Sequence, residues 1–177
     1  LVGVLNADNL LNFPDFRAHE RTFQLMVQVA GRAGRDQKRG KVAIQTFNPY
    51  HQILQQVSTN EYTAMYKEQM EERHQFLYPP MVRLIRMTLK HKDLIKVDQA
   101  AIWMGKSLAI VFGDQVLGPT SPSITRIRNK YIKTLLIKLP SRGSVKKSKG
   151  QIHKIKETFL SIPEFRPVQL IVDVDCY

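Results

Sequence analysis

Apolar and polar positions change period several times along this chain, and each change marks a candidate element. Leu1 to Leu5 is a short apolar run with the character of a buried strand. Asn12 to Asp15 carries turn chemistry around Pro14, after which Phe23, Met26, Val27 and Ala30 recur at helical spacing. Arg17, Glu20 and Arg21 fall on or near the opposite side of that helix, where ordinary surface ion pairs are an equal alternative to a functional role. Asp36 to Gly40 is polar and turn-like, and Lys41 to Phe47 returns to a strand pattern. Strand, helix and strand in this order predict a βαβ unit with a right-handed crossover.

Asn48 and Pro49 break the pattern before a short helix over His51 to Val57. Glu61 to Leu77 then spaces Tyr62, Met65, Tyr66, Met70 and Leu77 at about a helical period. The intervening Glu68, Glu71, Glu72 and Arg73 make a solvated face. An aromatic stripe at this period is core before it is a base-stacking platform. Tyr78-Pro79-Pro80 ends the segment, because a double proline cannot continue a helix and pushes the preceding residue toward extended geometry. The pattern restarts with a strand over Val82 to Lys90 and a helix over Val97 to Phe112, with Val97, Ala101, Met104, Leu108 and Val111 inward. Val116 to Ile127 is extended and broken by Pro119 and Pro122. A strand over Tyr131 to Leu139, a helix over Lys146 to Ile162 with Ile152, Ile155 and Phe159 inward, and a strand over Val168 to Val174 complete the series. The order βαββαβ is that of a split βαβ, or ferredoxin-like, α+β domain. The fold class is therefore α/β followed by α+β, divided as 1–57, a connecting helix and Pro-Pro linker over 58–80, and a domain over 81–177.

A length of 177 residues with 43% hydrophobic content suffices for one ordinary domain or two small ones. The net charge of +12 favours an anionic partner, either nucleic acid or an acidic protein tail. No apolar run approaches a membrane span and nothing resembles a secretory signal, so the expectation is a cytoplasmic protein with no membrane partner. Cys176 is the single cysteine, which excludes an internal disulfide and a cysteine-based zinc cluster. His19, His51, His74, His91 and His153 are too scattered for a local metal motif, and no metal site is assigned. The opening on a strand-like run without methionine reads as part of a larger protein. No phosphate-cradling glycine loop with its Lys-Ser/Thr occurs, so a complete nucleotide site of that type is not expected here.

The charge is uneven. Between Arg126 and Lys156 lie Arg126, Arg128, Lys130, Lys133, Lys138, Arg142, Lys146, Lys147, Lys149, Lys154 and Lys156, with no Asp or Glu. A single-sign patch of this kind concentrates anions and binds phosphates in a salt-sensitive way. It reads as a DNA-backbone surface, with Arg126, Arg128, Lys130, Lys146, Lys147 and Lys149 as its candidates. Ser141 to Ser144 reads as a mobile basic loop.

The candidate chemistry gathers in Gln28-Val29-Ala30-Gly31-Arg32-Ala33-Gly34-Arg35. Arg32 and Arg35, three apart on a helix, present two guanidinium groups to one polyanion, and Gly31 and Gly34 remove bulk beside them. A short Gly-Arg motif alone would sooner be a solvated helix end, with cations complementing the dipole. The longer string resembles motif VI of superfamily 2 helicases. Asn6-Ala7-Asp8, Pro14-Asp15-Phe16-Arg17-Ala18, Glu20-Arg21 and Phe23-Gln24-Leu25 ahead of it are similar to the PriA family of primosomal replication-restart helicases. So are Glu72-Arg73 before Tyr78-Pro79-Pro80, Leu117-Gly118-Pro119, Arg126 and Asp173-Val174-Asp175, with Cys176 where the family usually has proline.

That resemblance implies the end of a second RecA-like lobe followed by a C-terminal domain similar to ribosomal protein S10. It implies an ATP-dependent 3′-to-5′ DNA helicase that recognises stalled or branched forks and restarts replication by primosome assembly in the bacterial nucleoid. ATP and Mg2+ would be held mainly by a first lobe outside this chain, and zinc by an upstream region. Arg35 would be the arginine finger, Arg32 a bridge to phosphate or to the opposite lobe, and Gln28 an orienting residue. Gly31, Gly34, Asp8 and Arg17 would lie near the nucleotide. For Asp8 a loop cap bonding nearby amides is the equal alternative. Partners would be forked or single-stranded DNA, single-stranded DNA-binding protein and other primosome proteins. This chain alone would be inactive. The alternative is a non-catalytic module binding nucleic acid or the acidic tail of single-stranded DNA-binding protein; an S10-like RNA binder is disfavoured because that likeness is confined to the second half.

Overall fold

The computed structural model describes residues 1–33 and 40–176. They form two compact units, Leu1–Phe76 and the chain from Leu77 onward.

In the first unit, β1 (Val2–Val4) and β2 (Val42–Ile44) pair in parallel, with Val2 opposite Val42 and Val4 opposite Ile44. Parallel neighbours require a crossover. The chain between them carries α1 (Asp8–Leu11) and α2 (Ala18–Arg32), so the strand–helix–strand reading holds. The one-turn α1 is the addition, starting at the residue read as loop. α2 buries Ala18, Thr22, Phe23 and Met26 as one stripe. α3 (Gln52–Thr59) and α4 (Tyr62–Gln75) follow, and Ala7, Leu11, Phe23, Met26, Ile53, Leu54 and Met65 close the core.

The face of α4 differs from expectation. Its buried residues are Met65 and Gln69, while Tyr62 and Tyr66 are about half exposed and stack on each other at 6.3 Å. The expected core role for the two tyrosines is therefore not what the structure shows. Leu77, expected on the same stripe, lies beyond α4 and is also half exposed. The charged side is not simply solvated either. Arg73 pairs with Glu20 of α2 and lies 5.3 Å from the Phe16 ring, and Glu68 accepts from the buried Gln56 amide at 2.6 Å. Period alone could not tell the two sides of this helix apart, because the partners of its charges lie on other helices.

The second unit runs β3 (Val82–His91), α5 (Leu94–Phe112), β4 (Val116–Thr120), β5 (Arg126–Ile127), β6 (Lys130–Pro140), α6 (Val145–Ser161) and β7 (Gln169–Val174). The sheet order is β4-β6-β3-β7, antiparallel throughout, with β5 paired to the start of β6. β6 thus lies between β3 and β4, which run in the same direction, and the βαβ is split as the alternation predicts.

Ile85, Met87 and Leu89 of β3 and Leu135, Ile137 and Leu139 of β6 form the floor of the core. Val97, Ala101, Met104 and Leu108 of α5 and Ile152 and Phe159 of α6 cover it. The inward stripe of α5 continues four residues on to Phe112, so Val111, expected inward, is 39% exposed. Trp103 packs 5.8 Å from Phe159 and 6.0 Å from Phe165, whose rings are 5.3 Å apart.

β4 is irregular. Gly118 has φ of +99°, and a Cβ there would lie 2.8 Å from the Thr134 carbonyl oxygen. The register with β6 shifts between Leu117 and Thr120.

Phe159 is fully buried, so Phe159→Ala should destabilise the second unit by about 3–5 kcal/mol. Ile110, 86% exposed, should tolerate alanine within about 0.5 kcal/mol. Thermal melts followed by the fluorescence of Trp103, the one tryptophan, check both.

Candidate functional site

Gln28 and Arg32 lie on the exposed side of α2, one turn apart at its carboxyl end. Their spacing is the i, i+4 relation that aligns side chains along a helix. Gly31 lies between them, and a Cβ there would meet nothing within 4 Å. Among the described residues nothing demands a glycine at this position. Gly34 and Arg35 lie outside the described residues.

Asp8 sits just past β1 and ties that end of the unit together. Its carboxylate accepts from the Thr46 hydroxyl at 2.9 Å and from the Phe47 N–H at 3.0 Å, both immediately after β2. Partial burial raises its pKa, but the Phe47 and Thr46 bonds outweigh that, and the net shift is downward. Both carboxylate oxygens are thus engaged with the residues that follow β2. Arg17 immediately precedes α2, its backbone N–H donating to Asp15 Oδ1 at 2.9 Å and its guanidinium lying 5.3 Å from the Phe16 ring. Arg21 pairs with the same Asp15 at 2.9 Å.

His51 is an unforeseen member of this neighbourhood. Its Nδ1 accepts from the Ile53 N–H at 3.2 Å, capping α3, and its ring meets His19 edge-on at 5.3 Å. Burial, and next the nearby His19, push its pKa below the ordinary histidine value; Asp8 acts the other way more weakly.

The basic run of the second unit is divided by β6. Arg126 and Arg128 are exposed on a two-residue hairpin whose turn residues, Arg128 and Asn129, have φ of 47° and 62°. That left-handed pair matches the twist of hairpin strands. The Arg126 guanidinium lies 5.0 Å above the Tyr131 ring and donates to the Asn129 side chain. Lys130 Nζ donates to Gln169 at 3.2 Å. Lys146, Lys147 and Lys149 are exposed at the other end of β6, in the first turns of α6, where Ser144 caps the helix by accepting from the Lys147 N–H.

The eleven residues of β6, at about 3.3 Å each, hold the two groups about 30 Å apart. The lysines between are engaged. Lys133 Nζ pairs with Asp98 at 2.7 Å, and Lys138 Nζ lies 4.3 Å from the Tyr78 ring centre, with burial pushing its pKa down. The expected single patch is thus two ends.

β3 adds cations that sequence order hid. His91 pairs with Tyr131, so Lys90 and Lys92 join the hairpin end. At the other end Val82 pairs with Pro140, and Arg83 shares a hollow of about 310 Å³ with Gly143, Lys147 and Gln151. The loop expected to be mobile is anchored: the Ser141 hydroxyl donates to the Pro80 carbonyl at 2.6 Å, and its N–H to Met81 at 3.3 Å. Lys154 and Lys156 continue along α6, where the His153–Glu157 pair brings in a carboxylate.

No group of three or more His, Cys, Asp or Glu among the described residues is arranged to hold a metal ion. No helix among them is long and apolar enough to cross a membrane.

The family model of the primosomal protein N C-terminal domain matches residues 74–177. The replication restart protein PriA of Bacillus subtilis is 36% identical over 179 residues, covering 100% of this chain and 22% of that protein. The PriA of Synechocystis is 40% identical, covering 80% of this chain and 17% of its own length; that of Haemophilus influenzae is 35% identical, covering 99% and 24%. The chain spans about a fifth of the length of these curated relatives.

Because the folded state lowers the His51 pKa, it favours the neutral ring. The associated stability is complete above about pH 6.5 and is lost as pH falls through the lower folded-state value. His51→Asn keeps a cap acceptor without the titration. Circular dichroism melts should show a smaller loss of stability for H51N than for the parent chain between about pH 7 and pH 5; an equal loss would assign the effect elsewhere.

Proposed function

This chain belongs to the PriA family of replication restart proteins, and we propose that it acts there as part of an ATP-dependent 3′-to-5′ DNA helicase. The reading is carried by one observation: the likeness to a replication restart protein extends over the entire chain. In this reading the first unit is a portion of the second RecA-like lobe. Arg35 reaches the γ-phosphate of ATP held mainly by residues outside this chain, and a fixed cation there stabilises the charge that develops during phosphoryl transfer. Arg32 bridges to phosphate or to the opposing lobe, and Gln28 orients the site. The exposure of Gln28 and Arg32 along one edge of α2, with open space at Gly31, fits a surface meant to face a partner rather than its own core.

Of the two arginines that this reading assigns to the nucleotide, the described residues include Arg32, exposed at the end of α2. Asp8 has its carboxylate committed to Thr46 and Phe47, so a nucleotide role for it would act through the position of that loop. Arg17 contributes in the same indirect way, by fixing the start of α2. Mg2+ and zinc fall to parts of the protein outside this chain. ATP hydrolysis would alternate the spacing of the lobes and move the protein along one DNA strand.

The second unit supplies the DNA-binding surface, through Arg126, Arg128 and Lys130 on the hairpin and Lys146, Lys147 and Lys149 on α6. An acid-free stretch with exposed Lys and Arg side chains binds phosphates by releasing their counterions. The same surface would receive the acidic tail of single-stranded DNA-binding protein and bring the chain to forks where primosome proteins assemble.

The purified 177-residue chain should turn over no ATP. In the complete protein, Arg35→Ala should cut ATP turnover by about a thousandfold, in the range measured for arginine fingers. Steady-state hydrolysis assays check both, and unchanged turnover in R35A would remove Arg35 from the fingers.

A further inference from the structure

The two ends of the β3–β6 ladder are separate cationic surfaces, and we propose that the second unit uses them to hold two DNA segments at once. This rests on the DNA-binding reading above and adds a geometry to it. The chain folds its acid-free run so that the ends diverge. Ten register pairs, from Val82 with Pro140 to His91 with Tyr131, lie between them.

One duplex laid along the strand would need cations spaced along its length. The interior of β6 offers two, and both are committed: Lys133 to Asp98, and Lys138 to the Tyr78 ring. Arg86, the exposed cation midway along β3, faces Asp173 of β7 in register, and the exposed cations of the hairpin and of the first turns of α6 lie toward the two ends.

None of the ion pairs among the described residues engages Arg126, Arg128, Lys130, Lys146, Lys147 or Lys149. Asp93, beside the hairpin, accepts from the Ile95 and Lys96 N–H groups at 2.8 and 3.2 Å as the cap of α5. Asp173 and Asp175 belong to β7 and the residue after it, across β3 from β6.

The hairpin end also differs in chemistry from the α6 end. Ile124 is 64% exposed and Ile127 45% exposed, flanking Arg126. Apolar side chains beside a guanidinium suit a place where bases unstack, since they can cover a base face that water would otherwise hydrate. The α6 end presents a turn of Ser, Arg and Gly leading into lysines, beside a hollow that Val111, Leu139 and Val145 also line, and its exposed cations suit phosphate. The hairpin end therefore takes the branch point of a forked DNA, and the α6 end takes the backbone of an arm about 30 Å away.

The test uses the 177-residue chain and two variants, R126Q/R128Q/K130Q and K146Q/K147Q/K149Q, each first confirmed to melt at the parent temperature. Two short duplexes, one with a donor and one with an acceptor fluorophore, report bridging by energy transfer, with the protein shown to be monomeric by sedimentation. Fluorescence anisotropy compares a fork with a linear duplex of equal length.

The parent chain should bring the duplexes together and bind the fork about tenfold more tightly than the linear duplex. Each variant should lose energy transfer and fork preference and bind the linear duplex more weakly than the parent, through its one remaining end, with the logarithmic salt slope on the fork shallower by about three. Energy transfer that survives in either variant would overturn the two-ended arrangement. So would abolition of linear-duplex binding by either variant, which would mean one continuous site. If the parent bound neither DNA at any salt, the DNA-binding reading itself would fall, and this geometry with it.

Discussion

The second unit depends on one long antiparallel ladder. β3 and β6 pair over ten residues, and everything else is placed by reference to that ribbon. One face carries the apolar floor on which α5 and α6 sit, with Met87, Leu89 and Ile137 fully buried. Register is not adjustable in such a pair, because a slip of one residue would turn the buried side chains of a strand to the other face. The same fixed register decides which cations become neighbours. Arg83 and Lys147 are far apart in sequence and line one hollow, and Lys90 is brought beside the hairpin by the strand to which it belongs.

The first unit has a different logic. Its sheet has only two described strands of three residues each, too short to hold a fold by their own hydrogen bonds. Stability comes from the helices and from side chains that reach across sequence. Asp8 clasps the loop after β2, and Arg73 links α4 to Glu20 on α2 while lying against Phe16. Partly buried links of this kind raise the cost of separating the helices, since breaking one leaves a charge without its partner. They also hold the start of α2 in place, and therefore the direction in which its carboxyl end points.

Most of the elements were legible from periodicity alone. Both βα alternations, the helix over 97–112 and the split order of the second unit are visible because a buried face imposes a regular spacing on apolar residues. Failures occurred where tertiary partners decide. Tyr62 and Tyr66 have helical spacing but lie on a side of α4 with too little packed against it, and Val111 lost its place to Phe112 by one residue. The basic run was visible as composition, yet its division was not, because a sequence does not show that a straight strand separates its ends. Arg83, Lys90 and Lys92 were missed for the same reason, and His51 because a ring that caps a helix leaves no periodic trace. The motif around Arg32 was the most readable feature, and half of it, Gly34 and Arg35, falls outside the described residues.

The irregular β4 has an effect beyond its own packing. A sheet edge exposes a row of N–H and C=O groups that can recruit another strand. Here the edge is interrupted at its centre. Gly118 is held in a conformation that other residues rarely adopt, with no room for a Cβ, and Pro119 next to it has no N–H to donate. Together with the shifted register, this leaves no uninterrupted row of donors for a foreign strand to follow. A strongly cationic protein that gathered on DNA, as proposed above, would reach high local concentrations, where sheet-to-sheet association would be a hazard. On this side, the chain is protected from self-assembly by two residues of backbone.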